Sequence, residues 1–196
     1  MAALVLPTYP GPSSMTPRPI SSRNEQRPAS QGPVNRYMRP GTRWAWDNVM
    51  PPMSYVDSLE WDDLLSESDT VIMNILQPGL DVGLPGAPQV DGANQIGRTL
   101  NLKGLTAGYA FRKGQWISFP VSGQLFAYKV RTAITVGSDG RVALPLLTLL
   151  RLPPANNAIV DVAQPRAEGF ATVDPASLEV ATDRMVRLRF TLEERE

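Results

Sequence analysis

The clearest pattern of apolar and polar positions lies near the end of the chain, in residues 184–192. Val186, Leu188, Phe190 and Leu192 fall on one side of an extended chain, and charged or polar residues separate them. Because successive side chains in a strand point to opposite faces, this alternation predicts a half-buried strand. The C-terminal segment is therefore expected to be part of the folded core.

The middle of the chain repeats this alternation over short distances. Apolar side chains alternate in 116–121 and again in 125–136, and a Gly lies between the two segments. The sequence Ser138-Asp139-Gly140 favours a hairpin turn, after which 141–147 returns as another extended segment. Short strands joined by close turns predict a small barrel or sandwich.

The first part of the chain changes character at about residue 41. Ten of the 19 prolines lie in residues 1–52. Because proline has no backbone N–H, residues 1–40 are predicted to form an extended arm outside any sheet, with simple disorder as the alternative. A strand with two tryptophans follows in 42–50, and the early acids of 54–65 favour a helix.

Composition narrows the possible chemistry, because the 196 residues include no His and no Cys. His is the usual general acid or base near neutral pH, and zinc sites need Cys or His. Carboxylate chemistry is still possible, and Asp62, Asp63, Glu67 and Asp69 could form a cation site or a carboxylate pair. They lack the Gly-containing loop of a calcium site and fall on a predicted helix. We therefore expect no catalysis, no metal and no cofactor.

The chain shows no sign of a membrane segment. No run of about 18 apolar residues occurs, and the start of the sequence lacks the basic region of a signal peptide. We expect a protein made in a cytoplasm that does not insert into a membrane.

The zero net charge hides a strong separation of acids and bases along the chain. Residues 44–97 contain no base and nine acids: Asp47, Asp57, Glu60, Asp62, Asp63, Glu67, Asp69, Asp81 and Asp91. Residues 98–151 contain one acid and eight bases: Arg98, Lys103, Arg112, Lys113, Lys129, Arg131, Arg141 and Arg151. Such segments can be solvated faces, or they can be opposite sides of an interface.

Several short landmarks follow one another along the chain. They are Arg43-Trp-Ala-Trp46, Met50-Pro-Pro-Met53, the acidic segment with Trp61, Val90-Asp-Gly-Ala-Asn-Gln-Ile-Gly97, Leu100-Asn-Leu-Lys-Gly104, Arg112-Lys-Gly-Gln-Trp-Ile117, Leu125-Phe-Ala-Tyr-Lys-Val130 and Gly140-Arg-Val-Ala-Leu-Pro145 with Leu150-Arg151. In this order they resemble the distal tail protein family of long-tailed bacteriophages. The likeness spans most of residues 40–175. Gln115 departs from it, since the family usually has an acid there, and the 146–150 run lacks a common second Pro.

The resemblance implies a mainly β protein with a discontinuous organisation. Residues 41–97 and 166–196 would form a ring-forming β domain with one helix, completed by the C-terminal strand. Residues 98–165 would form an inserted barrel of the oligonucleotide-binding type, and residues 1–40 the arm.

The same resemblance implies a structural role in a virion tail that is assembled in the host cytoplasm. Members form a closed ring, usually of about six copies, that joins the tail tube protein to the hub or tip proteins of the baseplate. The alternative is a barrel-type module that binds nucleic acid or a host-surface glycan, of which nucleic acid is the less favoured ligand. The charge separation predicts a subunit interface with these residues: Asp57, Asp62, Asp63, Glu67, Asp69, Lys103, Arg112 and Lys113.

Overall fold

Strands dominate the fold, and the computed structural model describes residues 3–21, 24–26, 32, 35–37, 41–67, 70–174, 179–180 and 184–195. The first elements are β1 (Leu4–Val5), β2 (Ser14–Ile20), β3 (Asn24–Gln26), β4 (Asn35–Tyr37), β5 (Arg43–Val49), α1 (Tyr55–Glu67), β6 (Thr70–Asn74), β7 (Gly86–Val90) and β8 (Thr99–Leu105). The others are β9 (Ala110–Phe111), β10 (Trp116–Val121), β11 (Gln124–Lys129), β12 (Ile134–Thr135), β13 (Val142–Pro145), β14 (Arg166–Val173), β15 (Glu179–Val180), β16 (Val186–Arg187) and β17 (Arg189–Glu194). The predicted mainly β class with one helix is confirmed for this part of the chain.

The largest sheet has six strands in the order β1-β6-β14-β17-β5-β2, and only the β1–β6 pair is parallel. The C-terminal β17 lies inside this sheet, antiparallel to both β14 and β5. The predicted inward set is buried: Val186, Leu188, Phe190 and Leu192. The prediction that the C-terminal segment belongs to the core is therefore confirmed.

Strand β2 corrects the prediction that the Pro-rich arm cannot pair with a sheet. It forms the edge of the six-stranded sheet and is antiparallel to β5. Pro17 lies opposite Trp46, and Pro19 lies opposite Trp44. Because positions two apart in a strand have the same orientation, the ring nitrogens of both prolines lie on the same side of β2. An edge strand needs donors on only one of its sides, and for this reason proline is tolerated there.

Helix α1 packs on the six-stranded sheet through one side only. Its buried residues are Ser58, Trp61 and Leu65, and the Trp61 ring lies 5.9 Å from the ring of Phe190, between centroids. Trp61 and Leu65 join the large-sheet core, which we define as the buried cluster that also contains Trp44, Trp46 and Leu188. The helix prediction is confirmed, with an end at Glu67 two residues beyond the predicted one.

The segment from β7 to residue 162 forms three smaller sheets, ordered β13-β8-β7, β10-β11 and β12-β9. They enclose the small-sheet core, a buried cluster that includes Leu100, Phe119, Phe126 and Leu144. None of the sheets in the described residues closes on itself, so the closed barrel that the resemblance implies is not seen as a continuous ladder. Single bridges link the sheets instead: Gln89 with Ile159, Ser118 with Asp161, and Val130 with Leu146.

The β10–β11 hairpin lies between the two cores and is buried on both faces. Phe119 and Tyr128 stack in the small-sheet core with ring centroids 5.1 Å apart. Trp116 and Ala127, at positions of the opposite parity, belong to the large-sheet core. The division into residues 41–97 with 166–196 and residues 98–165 stays a prediction, because the hairpin contributes side chains to both cores.

Candidate functional site

The exposed side of α1 carries most of the acids predicted for the interface. Asp57, Asp63 and Glu67 are exposed, Asp62 is half-buried, and Asp69 lies outside the described residues. Ser54 begins the helix: its hydroxyl accepts the Asp57 N–H at 3.2 Å and donates to the Asp57 carboxylate at 2.7 Å. This reciprocal pair is a form of helix N-cap, so Asp57 also has a local structural role.

Apolar side chains share this exposed side of the helix. Tyr55, Val56 and Leu59 are 60%, 75% and 47% exposed. The spacing of positions 56, 59, 60, 63 and 67 places them along one stripe of the helix, opposite the buried Trp61. We call this stripe, with Tyr55 and Asp57, the acidic helix face.

The acidic helix face has no basic counterpart within the described chain. No described Lys or Arg forms an ion pair with its carboxylates. Like charges three or four positions apart, as at Glu60, Asp63 and Glu67, destabilise a helix by a few tenths of a kcal/mol per pair. An acid in the last turn is also unfavourable beside the helix C-terminus. A basic surface supplied by another chain would relieve both effects.

The three predicted bases have different environments. Lys103 is half-buried, and its Nζ lies 3.9 Å from the Asp91 carboxylate, which also pairs with Arg141 at 3.2 Å. Arg112 and Lys113 are exposed in the turn between β9 and β10. They line a groove of about 270 Å³ together with Leu76, which is 43% exposed. We call Arg112, Lys113 and Leu76 the basic groove.

A second charged cluster, which the sequence interpretation missed, lies buried between the two cores. Its centre is Glu194 at the end of β17, with a residue exposure of 1%. One carboxylate oxygen accepts the backbone N–H of Ala127 and the other that of Trp44, each at 2.9 Å. The Arg151 Nη2 lies 3.0 Å from the Glu194 Oε2 as an ion pair, without the angles of a hydrogen bond. Glu194 thus connects strand β5, strand β11 and the loop after β13.

Arg151 is held from several sides in this cluster. Its side chain is 7% exposed, and its guanidinium carbon lies 4.3 Å from the centre of the Phe126 ring. Its backbone N–H donates to the Tyr128 hydroxyl at 3.1 Å, and its Nη1 donates to the carbonyl of Arg195, also at 3.1 Å. A guanidinium over an aromatic face is a stabilising arrangement, and more so when water is excluded.

A similar contact lies on the neighbouring strand. Glu168 on β14 is buried, and its carboxylate accepts the Leu125 N–H at 2.9 Å and lies 3.4 Å from the Arg195 guanidinium. Gly169, next along β14, leaves room for the close approach of β17: a Cβ at this position would overlap the Glu193 carbonyl. Both buried glutamates therefore bind the β10–β11 hairpin to the six-stranded sheet.

Burial sets the ionisation of this cluster. It raises the pKa of Glu194 to about 7, while Arg151 and the N–H donors of Ala127 and Trp44 oppose the shift. Burial also raises the pKa of Tyr128, again against Arg151. A charge pair removed from water stabilises a fold only when its remaining hydrogen bonds are satisfied. The Glu194 oxygens meet that condition, whereas the Arg151 Nη2 has no hydrogen-bond partner among the described residues. The cluster is suited to hold the two cores together.

Other features of the described residues add little chemistry. The ranges given above contain no group of three or more acids that could hold a metal ion. Helix α1 is too short and too polar to cross a membrane, and it is the only described helix. Comparison of the sequence with models of known protein families and with curated proteins found no match.

Proposed function

We propose that this chain is a non-catalytic, ring-forming adaptor at the distal end of a phage tail tube, where it joins the tube to the tip or baseplate. The observation that carries the proposal is the acidic helix face. Four exposed acids and three exposed apolar side chains form this face, to which the described chain offers no basic partner. A surface of this kind is typical of a protein–protein interface.

The proposed partner surface is the basic groove of a neighbouring copy. In a closed ring each subunit presents two different patches that meet head to tail. The acidic helix face and the basic groove have opposite charge, and each has exposed apolar side chains, such as Val56 on the first and Leu76 on the second. Charge would set the register and the rate of association, and apolar contact would supply most of the affinity.

Two further features support the adaptor over other structural roles. Strand β17 completes the sheet that β5 and β6 begin, as the resemblance implies for the ring-forming domain. The single bridges between the smaller sheets run in a circuit through β13, β8, β7, residues 159–161, β10 and β11. We propose that this circuit is a barrel of the oligonucleotide-binding type, with weak pairing at its seams. The proposed place of the protein is the virion tail, between the tail tube protein and the hub or tip proteins.

The alternative, a nucleic-acid or glycan module, has less support. Proteins that bind single strands stack bases on exposed aromatic rings. The aromatic residues that this alternative depends on are Tyr109, Phe111, Trp116, Phe119, Phe126 and Tyr128. Tyr109 is half-buried against the small-sheet core, and the other five are buried. They are therefore occupied in packing, and the adaptor function is favoured.

Reversing single charges tests the proposed contact. We expect Asp63→Lys to slow ring formation by up to about tenfold at low salt, because it places like charges at the interface. Arg112→Glu in the same chain should restore much of the rate. The matched control is Asp139→Lys, which makes the same change in charge in the turn between β12 and β13, outside the acidic helix face and the basic groove. Time-resolved native mass spectrometry measures the rates.

The comparison between these variants shows whether the acidic helix face contacts the basic groove of a neighbouring copy. If Asp63→Lys and Asp139→Lys behave alike, or if Arg112→Glu gives no rescue, the acidic helix face does not meet the basic groove. Rings that form normally in that case would leave the adaptor function intact and refute only this contact.

A further inference from the structure

The two outer strands of the six-stranded sheet each have a side on which no strand of the described ranges pairs with them. These strands are β1 and β2, the first and last in the strand order. A free strand edge is a template to which a strand of another chain can add. Strand β1 has only two residues, and very short edge strands offer little for pairing. Strand β2 has seven residues, so strand addition is the greater risk at β2.

The hydrogen bonds of β5 show which backbone groups of β2 point away from the sheet. The Trp44 N–H donates to the Glu194 carboxylate at 2.9 Å, on the side of β5 where β17 lies. The Val49 carbonyl accepts the Ser13 N–H at 2.8 Å, on the side where β2 lies. Because backbone groups alternate in direction along a strand, the odd-numbered residues of β5 bond towards β2 and the even-numbered residues towards β17.

Proline occupies most of the outward positions of β2. Residues 14, 16, 18 and 20 lie opposite the odd-numbered residues of β5, whereas Met15, Pro17 and Pro19 lie opposite the even-numbered ones. The backbone groups of these three residues therefore point away from the sheet. Proline has no N–H, and its ring carbons occupy the place of the hydrogen. The outer side of β2 thus presents carbonyls at all three positions and an N–H only at Met15.

This edge is poorly suited to pair with a second copy of itself. In an antiparallel pair of two such edges, each outward residue would both donate and accept a hydrogen bond. Two of the three donors are missing in each copy, and the proline rings hinder the close approach of another backbone. Arg18 lies between the two prolines and is exposed. Charged side chains on an edge strand also oppose pairing.

We propose that Pro17 and Pro19 guard the β2 edge and thereby restrict how copies of this chain associate. They prevent two copies from joining their six-stranded sheets into one continuous sheet. An unguarded edge would add a two-fold contact, through which closed assemblies could link to one another. The proposal does not rest on the adaptor function, because it concerns the backbone of β2 and neither the acidic helix face nor the basic groove.

Restoring the missing N–H groups tests this guard. The variant that combines Pro17→Thr with Pro19→Thr supplies both donors and places a residue with high strand propensity at each position. We expect its mean assembly mass to rise with protein concentration to at least about twice that of the wild type, because edge pairing joins copies two by two. Native mass spectrometry measures the mass. Hydrogen exchange of the new N–H groups at positions 17 and 19 should be slower in the associated than in the dilute protein.

A matched control separates the edge from the loss of proline itself. Pro52→Thr combined with Pro153→Thr replaces two exposed prolines outside the strands and should leave the mass unchanged. Each single variant, Pro17→Thr or Pro19→Thr, restores one N–H and should associate more weakly than the double variant, so the test does not depend on the folding of one protein. A wild-type mass for all three edge variants, equal association of the control, or fast exchange at positions 17 and 19 in the associated protein would each overturn the proposal.

Discussion

Leu188→Asp is expected to leave the chain unfolded or aggregated. Leu188 is 1% exposed within the large-sheet core, and its carbonyl accepts the Met50 N–H at 2.9 Å. The variant places a carboxylate without a partner where a buried apolar side chain belongs, and removes the contacts of that side chain. The combined loss exceeds about 4 kcal/mol, a large part of the stability of an ordinary domain.

Two milder variants provide reference values for the loss of stability in Leu188→Asp. Leu188→Ala should lower the free energy of unfolding by about 2–5 kcal/mol, measured by denaturant titration. Arg187→Ala, at the next position on the opposite side of the chain, should change it by less than about 1 kcal/mol. A Leu188→Asp protein that melts within a few degrees of the wild type would show that the C-terminal segment is not part of the core.

The second large effect is expected for Glu194→Ala. This variant leaves the Arg151 guanidinium buried without its carboxylate, and the N–H groups of Ala127 and Trp44 without their acceptors. Breaking a buried pair in this way costs about 3–5 kcal/mol. The matched control is Glu193→Ala, which breaks a partly exposed pair with Arg43 and should cost about 1 kcal/mol or less. Equal effects in denaturant titrations would mean that the buried cluster does not hold the two cores together.

The pH dependence of the same site gives an independent check. The pKa of Glu194 is about 7 in the folded chain against an ordinary value of 4.5, so between these pH values the folded state binds the proton more tightly than the unfolded state does. The contribution of Glu194 to stability is therefore largest below about pH 4.5 and falls as the pH rises through about 7. The unfolding free energy of the wild type minus that of Glu194→Gln should therefore decrease from about pH 4.5 to about pH 7, because only the wild type loses a proton in this interval. An increase of this signed difference with pH would show that the pKa of Glu194 is lowered by its partners.

Local periodicity explains how much of the fold could be predicted. The strand at the C-terminus and the β10–β11 hairpin follow from alternation at a period of two, which needs only neighbouring residues. Phe119 and Phe126 belong to the alternating sets of 116–121 and 125–136, and they lie opposite each other in the hairpin. Strand β2 could not be predicted in this way, because its prolines are acceptable only at the edge of a sheet, and edge position depends on the whole topology.

The buried cluster around Glu194 shows a different limit of prediction from the sequence. Glu194 continues the inward series of Leu188, Phe190 and Leu192, so its burial could have been predicted from its position alone. The ion-pair partner of Glu194 could not be predicted, because Arg151 lies far away along the chain in a loop without periodicity. The same reasoning applies to Lys103, which looks like a free interface base in the sequence. The fold brings it to Asp91.

The most direct test of the proposed function is the oligomeric state of the full chain. Native mass spectrometry over a series of protein concentrations should reveal a single closed oligomer, of about six copies if the resemblance holds. Images of the same sample should show rings with equivalent subunits, as head-to-tail contacts between an acidic and a basic patch require. A chain that stays monomeric at every concentration, or that forms only a two-fold dimer, would contradict the ring-forming adaptor.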